Sequence, residues 1–460
     1  MKMTAMLGNL RRLMLLGLVL AIPPQLAQAQ EWGAVPYFQY NIDDVIVAPV
    51  SAGTWKVRVV FSVIDRTDPS GNTAWNLKST TGPFVSPAAV TADIGWDPAG
   101  DFTNTGSAGV SLSPVPASTL GPGAPGAAIP VQARSLAGSA GAAVPCTTAA
   151  CPNTYPLTNR YYVERTVTPV AFTSAVTHGR VALEGKPVCN GIPGYTCATP
   201  MAAIPVPSAT ANFKFEATTP YTAMIADPRR PIVDINKCFQ CHDGKQHGDV
   251  IVPKLSLHGN NRTENLGLCV VCHNPNQTDV PYRYQTAGTT ADPRIAGPEV
   301  PIDFKVMVHA IHSGGFRVKP YVVVGFGSSV NDFSDVRFPR ELRKSCPDCH
   351  IDANGKGTFE LPIKTTLGTT VNTQSTYLVA PGATRSINVN PFDDLKMTPT
   401  AATCSACHDK AEVRSHMVKE GGASFSTAQA NIGTTFKEKC FNCHGPGKDK
   451  DVRKMHEIGR

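Results

Sequence analysis

Five times the chain reads C-x-x-C-H: CFQCH (Cys238, Cys241, His242), CVVCH (Cys269, Cys272, His273), CPDCH (Cys346, Cys349, His350), CSACH (Cys404, Cys407, His408) and CFNCH (Cys440, Cys443, His444). Two thiols three positions apart reach the two vinyl groups of one haem as thioethers, and the histidine that follows lies under the iron as its axial ligand. With 14 cysteines and 12 histidines in 460 residues, random order would give on the order of 0.01 such motifs. Five copies are not chance. Zinc ribbons combine two C-x-x-C pairs per metal, which five pairs cannot satisfy evenly, and neither zinc binding nor dithiol redox chemistry explains a histidine after every pair. The spacing therefore predicts five covalently attached c-type haems.

A haem held by its motif histidine alone keeps one axial position open, so five haems ask for five more ligands. Seven histidines lie outside the motifs: His178, His247, His258, His309, His312, His416 and His456. His178 sits far upstream, in sequence of a different kind, and is set aside. In DFKVMVHAIHSGG, His309 and His312 are three apart; on a helix they share one face with Cβ atoms about 5–6 Å from each other. That spacing suits distal ligands to two neighbouring haems, against the plainer reading of two hydrogen-bonded core histidines. His416 and His456 each follow a motif by a short segment, in CHDKAEVRSHM and CHGPGKDKDVRKMH. His247 and His258 both follow the first motif, and His258 is favoured, partly on the family resemblance below. Met307, Met397, Met417 and Met455 could ligate iron in principle, but with enough histidines present they read as packing.

The motifs all fall after residue 237, which divides the chain. Residues 1–29 read as a secretory signal peptide: Lys2, Arg11 and Arg12 form the positive region, LMLLGLVLAI the apolar core and AQA (Ala27 to Ala29) the cleavage site. No later stretch is apolar enough for a transmembrane helix, and no cysteine precedes Cys146 to carry a lipid anchor. Residues 30–226 form a β-rich domain, with strand-like runs KVRVVFSVID, RYYVERTVTPVAF, GRVALEG and NFKFEAT between Pro, Gly, Ser and Thr clusters, as in a sandwich or barrel. Within it, a Gly/Pro/Ala-rich insert at about 106–150 reads as a long loop. Cys146, Cys151, Cys189 and Cys197 are left for disulfides, and short-range pairs, Cys146 with Cys151 and Cys189 with Cys197, are expected. Residues 227–460 form a pentahaem domain of short helices and loops, in which the haems supply much of the apolar core; YVVVGFG (Tyr321 to Gly327) is a brief candidate strand.

The formal charge of +7 overstates how basic the protein is. Without Lys2, Arg11 and Arg12 it is +4, and five ferric haems with ionised propionates bring it to about −1. That balance gives no support to nucleic-acid binding. The sequence carries no Walker-type phosphate loop, dinucleotide fingerprint or nucleophile elbow.

The string RRPIVDINKCFQCHDGKQHG…LHGNNRTENLGLCVVCHNPNQTD, followed by DFKVMVHAIHSGG, resembles the outer-membrane multihaem cytochromes of the OmcA/MtrC type. The resemblance covers most of residues 225–460. It implies distal ligation by His258, His309, His312, His416 and His456, and an upstream half that is the immunoglobulin-like or split-barrel β domain preceding a pentahaem domain. Family members typically have ten haems in two such halves, often on a lipid anchor; this chain looks like one half. The expected fold is thus multidomain, an N-terminal all-β domain followed by a C-terminal pentahaem c-type cytochrome domain. The expected function is electron transfer through five bis-histidine haems rather than catalysis. The partners it implies are other cytochromes or outer-membrane electron-conduit proteins, with a flavin or metal oxide as acceptor. Expected placement is export to the outer-membrane surface or beyond, with the periplasm as the alternative. Two other readings compete: an oxidoreductase with one open catalytic haem, and a filament in which subunits stack their haems.

Overall fold

The computed structural model describes residues 37–79, 81–85, 90–97, 131–134, 143–154, 156–167, 178–192, 202–215, 221–222, 224–229, 231–244, 246–247, 250–251, 254–275, 277–279, 283, 294, 298–325, 329–353, 356–361, 370–373, 395–428, 431 and 438–459. The expected signal peptide and Cys197 lie outside them.

The longest strands open the β half. β1 (Phe38–Ser51) pairs antiparallel with β2 (Thr54–Asp65) across a tight turn in which Gly53 takes a φ of 74°. Phe38, Tyr40 and Ile42 point inward along β1, and then Val45 and Val47 do. The buried set changes phase at a register shift between Ile42 and Asp44, where one extra residue makes a bulge. β2 instead is buried on both faces from Val59 to Ile64, polar Ser62 included.

The remaining strands are β3 (Val90–Asp97), β4 (Val131–Arg134), β5 (Val144–Pro145), β6 (Tyr161–Val167), β7 (His178–Gly185), β8 (Ala209–Lys214), β9 (Tyr221–Thr222) and β10 (Met224–Ile225). They complete two five-stranded sheets, ordered β5-β6-β2-β1-β9 and β10-β8-β7-β3-β4. One core is shared, with Val45, Val57, Val59 and Phe61 from the first sheet against Ile94, Trp96, Leu183 and Phe213 from the second. The four expected strand runs correspond to β2, β6, β7 and β8. The insert at about 106–150, read as one loop, is corrected in part. Residues 131–134 pair with β3, and Val144–Pro145 pairs with β6; backbone pairing at a sheet edge does not need the apolar alternation that the insert lacks. A disulfide joins Cys146 to Cys151, as expected. Cys189 is also disulfide-bonded.

After residue 230 the elements shorten. Among the described residues the helices are α1 (Ile235–Cys238), α2 (Leu266–Cys272), α3 (Phe304–His312), α4 (Pro399–Ser405), α5 (Ala411–Lys419), α6 (Phe441–His444) and α7 (Val452–Met455), none of them longer than nine residues. YVVVGFG supplies the strand Val322–Val324. Only small apolar clusters form here among the described residues, one of them around Val306, Ala310, Tyr321, Met397, Ala402 and Ala406. Among the described residues no helix is long and apolar enough to cross a membrane.

The halves meet at α2. Its Leu268, Val270 and Val271 pack on Ala182 of β7. Asn265 accepts from the Leu268 N–H as the helix N-cap, and its amide donates to the Ser208 carbonyl at 2.7 Å. Gly267 allows the close approach, since a Cβ there would lie 3.0 Å from Thr210 Oγ1. Buried Arg180 of β7 donates to Asn212 at 2.8 Å and Asp227 at 2.6 Å.

Candidate haem sites

All five C-x-x-C-H motifs adopt the same single helical turn. In each, the histidine N–H donates to the carbonyl of the first cysteine at 2.8–2.9 Å: His242 to Cys238, His273 to Cys269, His350 to Cys346, His408 to Cys404 and His444 to Cys440. One turn places residues three and four apart on a common face, so both sulfurs and the imidazole of a motif are presented together.

Each motif histidine has a second histidine beside it. Ring centroids lie 6.0 Å apart for His242 and His312, 6.1 Å for His273 and His258, 6.0 Å for His350 and His309, 5.8 Å for His408 and His456, and 6.2 Å for His444 and His416. A ring centroid is about 1.1 Å from its nitrogen and a metal–imidazole bond is about 2 Å, so two imidazoles on opposite sides of one metal ion have centroids about 6 Å apart. All five separations match.

The tautomers suit the same role. Nδ1 of His309, His312 and His456 lies 2.6, 2.8 and 2.9 Å from the carbonyl four residues earlier on the helix. Nδ1 of His273 meets the Ile302 carbonyl at 3.0 Å, and that of His444 meets the Lys450 carbonyl at 2.9 Å. A carbonyl only accepts, so Nδ1 carries the proton and Nε2 keeps its lone pair for a metal. Nδ1 of His350 meets Thr358 Oγ1 at 3.2 Å, and that hydroxyl donates to the Ile232 carbonyl, so it accepts from the imidazole. Every pair therefore has at least one member fixed in the ligating tautomer. Burial lowers His273 and His350 to about 4 and also lowers His309 and His312, which keeps them neutral.

The cysteines do not resemble a redox dithiol. Burial raises Cys269 and Cys346 to about 11 and Cys349 and Cys404 to about 12, the opposite of an activated thiolate. Among the described residues, no three His, Cys, Asp or Glu side chains gather as a zinc site would require. The donor set fits covalent haem with two axial imidazoles.

Of the histidines set aside, His178 begins β7, and His247 ends the two-residue strand Gln246–His247. Met397 is buried in the cluster beneath α3 and Met307 packs against it; Met455 is exposed.

The motifs also lie close to one another. The first and third are laced together: Asp234 N–H donates to the Cys349 carbonyl at 3.1 Å, and the Lys237 ammonium bridges the Pro347 and His350 carbonyls at 2.8 and 2.6 Å. Cys349 lies within electrostatic reach of Cys238 and Cys241, Cys346 of Cys407, Cys404 of Cys440, and Cys269 of Cys238. Between the fourth and fifth motifs, the Glu438 carboxylate accepts from Thr400 and Ala401 N–H groups at 2.8 and 2.9 Å, capping α4. The sequence reading did not find Asn265, Lys237 or Glu438, polar residues whose partners are distant in the chain. CVVCH did carry a signal, because it is the one motif with two β-branched residues between its cysteines, and those residues face β7.

Five such turns, each with an added histidine, define a multihaem c-type cytochrome, a class whose work is electron transfer. Residues 230–457 match the family described as outer membrane cytochrome MtrC/MtrF-like, domains II/IV, and through this half the chain belongs to the OmcA/MtrC-type family of outer-membrane cytochromes. The crystal structure of MtrC from Shewanella baltica OS185 is similar at a TM-score of 0.49 and 16% identity, over 92% of this chain and 54% of that one. This chain thus spans about half the length of that protein. No curated protein matches the chain.

Proposed function

We propose that the protein carries electrons through five bis-histidine c-type haems. Their ligand pairs are His242 with His312, His273 with His258, His350 with His309, His408 with His456, and His444 with His416. The observation that carries this reading is the pairing itself: five motif histidines and five others, matched one to one at 5.8–6.2 Å. Bound haem supplies a one-electron ferric–ferrous couple at each site.

The chain's own residues hold the sites, close them and order them. Two imidazoles per site leave no position for a substrate, which favours a carrier over an oxidoreductase with an open haem. Carbonyl acceptors at Nδ1 fix ring orientation and strengthen each imidazole as a donor. The proximities of the motifs support one linear order, in which the site at Cys269 neighbours that at Cys238, then Cys346, Cys404 and Cys440. Helix α3 braces the middle of this line, because His312 and His309 serve adjacent sites, at Cys238 and Cys346.

The family supports a place in respiratory electron transfer at or beyond the outer membrane, after export directed by residues 1–29. Donors and acceptors would be partner cytochromes or electron-conduit proteins, with flavins or metal oxides as terminal acceptors. The reading is tested by incubating reduced holoprotein with ferric oxide or a flavin. Reoxidation of all five haems without a lag-separated fraction is expected; a haem that stays reduced would break the proposed continuity.

A further inference from the structure

His258 does not sit on a helix, unlike His309, His312 and His416. It lies on the turn between the paired segments Ser256–Leu257 and Arg262–Thr263, where His258, Gly259 and Asn260 have φ of 53°, 69° and 66°. Left-handed backbone is uncommon for residues other than glycine, and ties from outside the turn add to its own bond from Ser256 Oγ to Asn260 Oδ1 at 3.0 Å.

The outside ties come from the β half. Gly185 N–H donates to the Asn261 carbonyl at 3.0 Å, Ser208 N–H to the Thr263 carbonyl at 2.9 Å, and Thr263 N–H to Ser208 Oγ at 3.3 Å. The Asn260 amide reaches the Ala203 carbonyl at 3.3 Å. The ionic tie is Arg262 to Glu184 of β7: Nε bonds one carboxylate oxygen and Nη2 the other, at 3.2 Å. Glu184 is 3% exposed, a carboxylate built into the sheet with its fork-to-fork partner supplied by the haem half.

We propose that Glu184, acting through Arg262, is the positioning residue for His258, so that the β half decides whether the iron at Cys269–His273 has its second ligand. This rests on the bis-histidine reading above. None of the other eight paired histidines lies on the turn that Arg262 ties to Glu184, so loss of Glu184 acts on one site alone. A second ion pair at the same junction, between buried Arg180 and exposed Asp227, does not touch the turn and serves as the control.

The test uses the full holoprotein with carbon monoxide as probe. Carbon monoxide binding to the reduced protein and the high-spin ferric EPR signal are read for wild type, His258→Ala, Glu184→Gln and Asp227→Asn, each shown to carry five haems. Glu184→Gln and His258→Ala should each open one haem in five, Asp227→Asn none, and Glu184→Asp should bind less carbon monoxide than Glu184→Gln. Should Glu184→Gln not assemble, Glu184→Gln with Arg262→Gln removes both charges without stranding either and carries the same expectation. If His258→Ala opens a haem and the Glu184 variants open none, the positioning role is overturned while the ligand assignment stands. An Asp227→Asn protein as open as Glu184→Gln would likewise overturn it, by showing that any damage to the junction suffices. If His258→Ala opens nothing, the ligand assignment fails and the proposal with it.

Discussion

An imidazole offers a metal only the nitrogen that lacks a proton, and in this protein main-chain carbonyls choose which one that is. The i−4 carbonyls of their own helices meet Nδ1 of His309, His312 and His456, so these three histidines are held in the ligating tautomer. Replacing His309 with Ala should open the haem at Cys346–His350, and replacing His312 that at Cys238–His242. Each variant should show one high-spin haem in five, and the double variant two, read by ferric EPR against a haem count. Thr358 tests the tautomer argument at finer grain. Thr358→Val removes the acceptor at His350 Nδ1, weakens that imidazole as a donor and stabilises the ferric state less. The potential of that one haem should rise in a spectroelectrochemical titration while the other four hold.

Among the elements, those after residue 230 are short and bury only small apolar clusters among the described residues, whereas the β half has its own core and can be tested as an ordinary sandwich. Gly179 of β7 lies opposite Phe213 of β8, whose ring atoms are 2.1 Å from where a Cβ would stand. Phe213 is fully buried and has nowhere to turn. Gly179→Ala should therefore cost about 1–3 kcal/mol by overpacking, seen as a lower urea midpoint of the tryptophan fluorescence transition. The two halves differed in how much the sequence revealed. Motif spacing singles out ten cysteines and the five histidines after them as candidate haem residues, since covalent attachment would fix that spacing. The HAIH pair was legible for the same kind of reason, a helical period. β1 was not, because its bulge at Asp43 breaks the alternation between Ile42 and Val45. β4 was hidden because its pairing with β3 depends on backbone hydrogen bonds in a Gly/Pro/Ala-rich setting.

At the scale of the molecule, the account is a line of five sites with a β sandwich seated against one end of it, at α2. The junction escaped the sequence reading because Glu184 and Arg262, or Asn265 and Ser208, are brought together only by the fold. A line has a weak point that a cluster lacks. Cys346→Ala with Cys349→Ala removes the central haem and should sharply slow electron equilibration between the sites at Cys238 and Cys404. Cys440→Ala with Cys443→Ala removes an end and should leave the remaining equilibration close to wild type; stopped-flow reduction followed in the haem α-band separates the two. Whether two histidines close every iron is read from the ferric EPR spectrum of the purified holoprotein beside a pyridine haemochrome count: five haems per chain with low-spin signals only are expected, and a substantial high-spin fraction in intact protein, or fewer than five haems, would overturn the bis-histidine assignment.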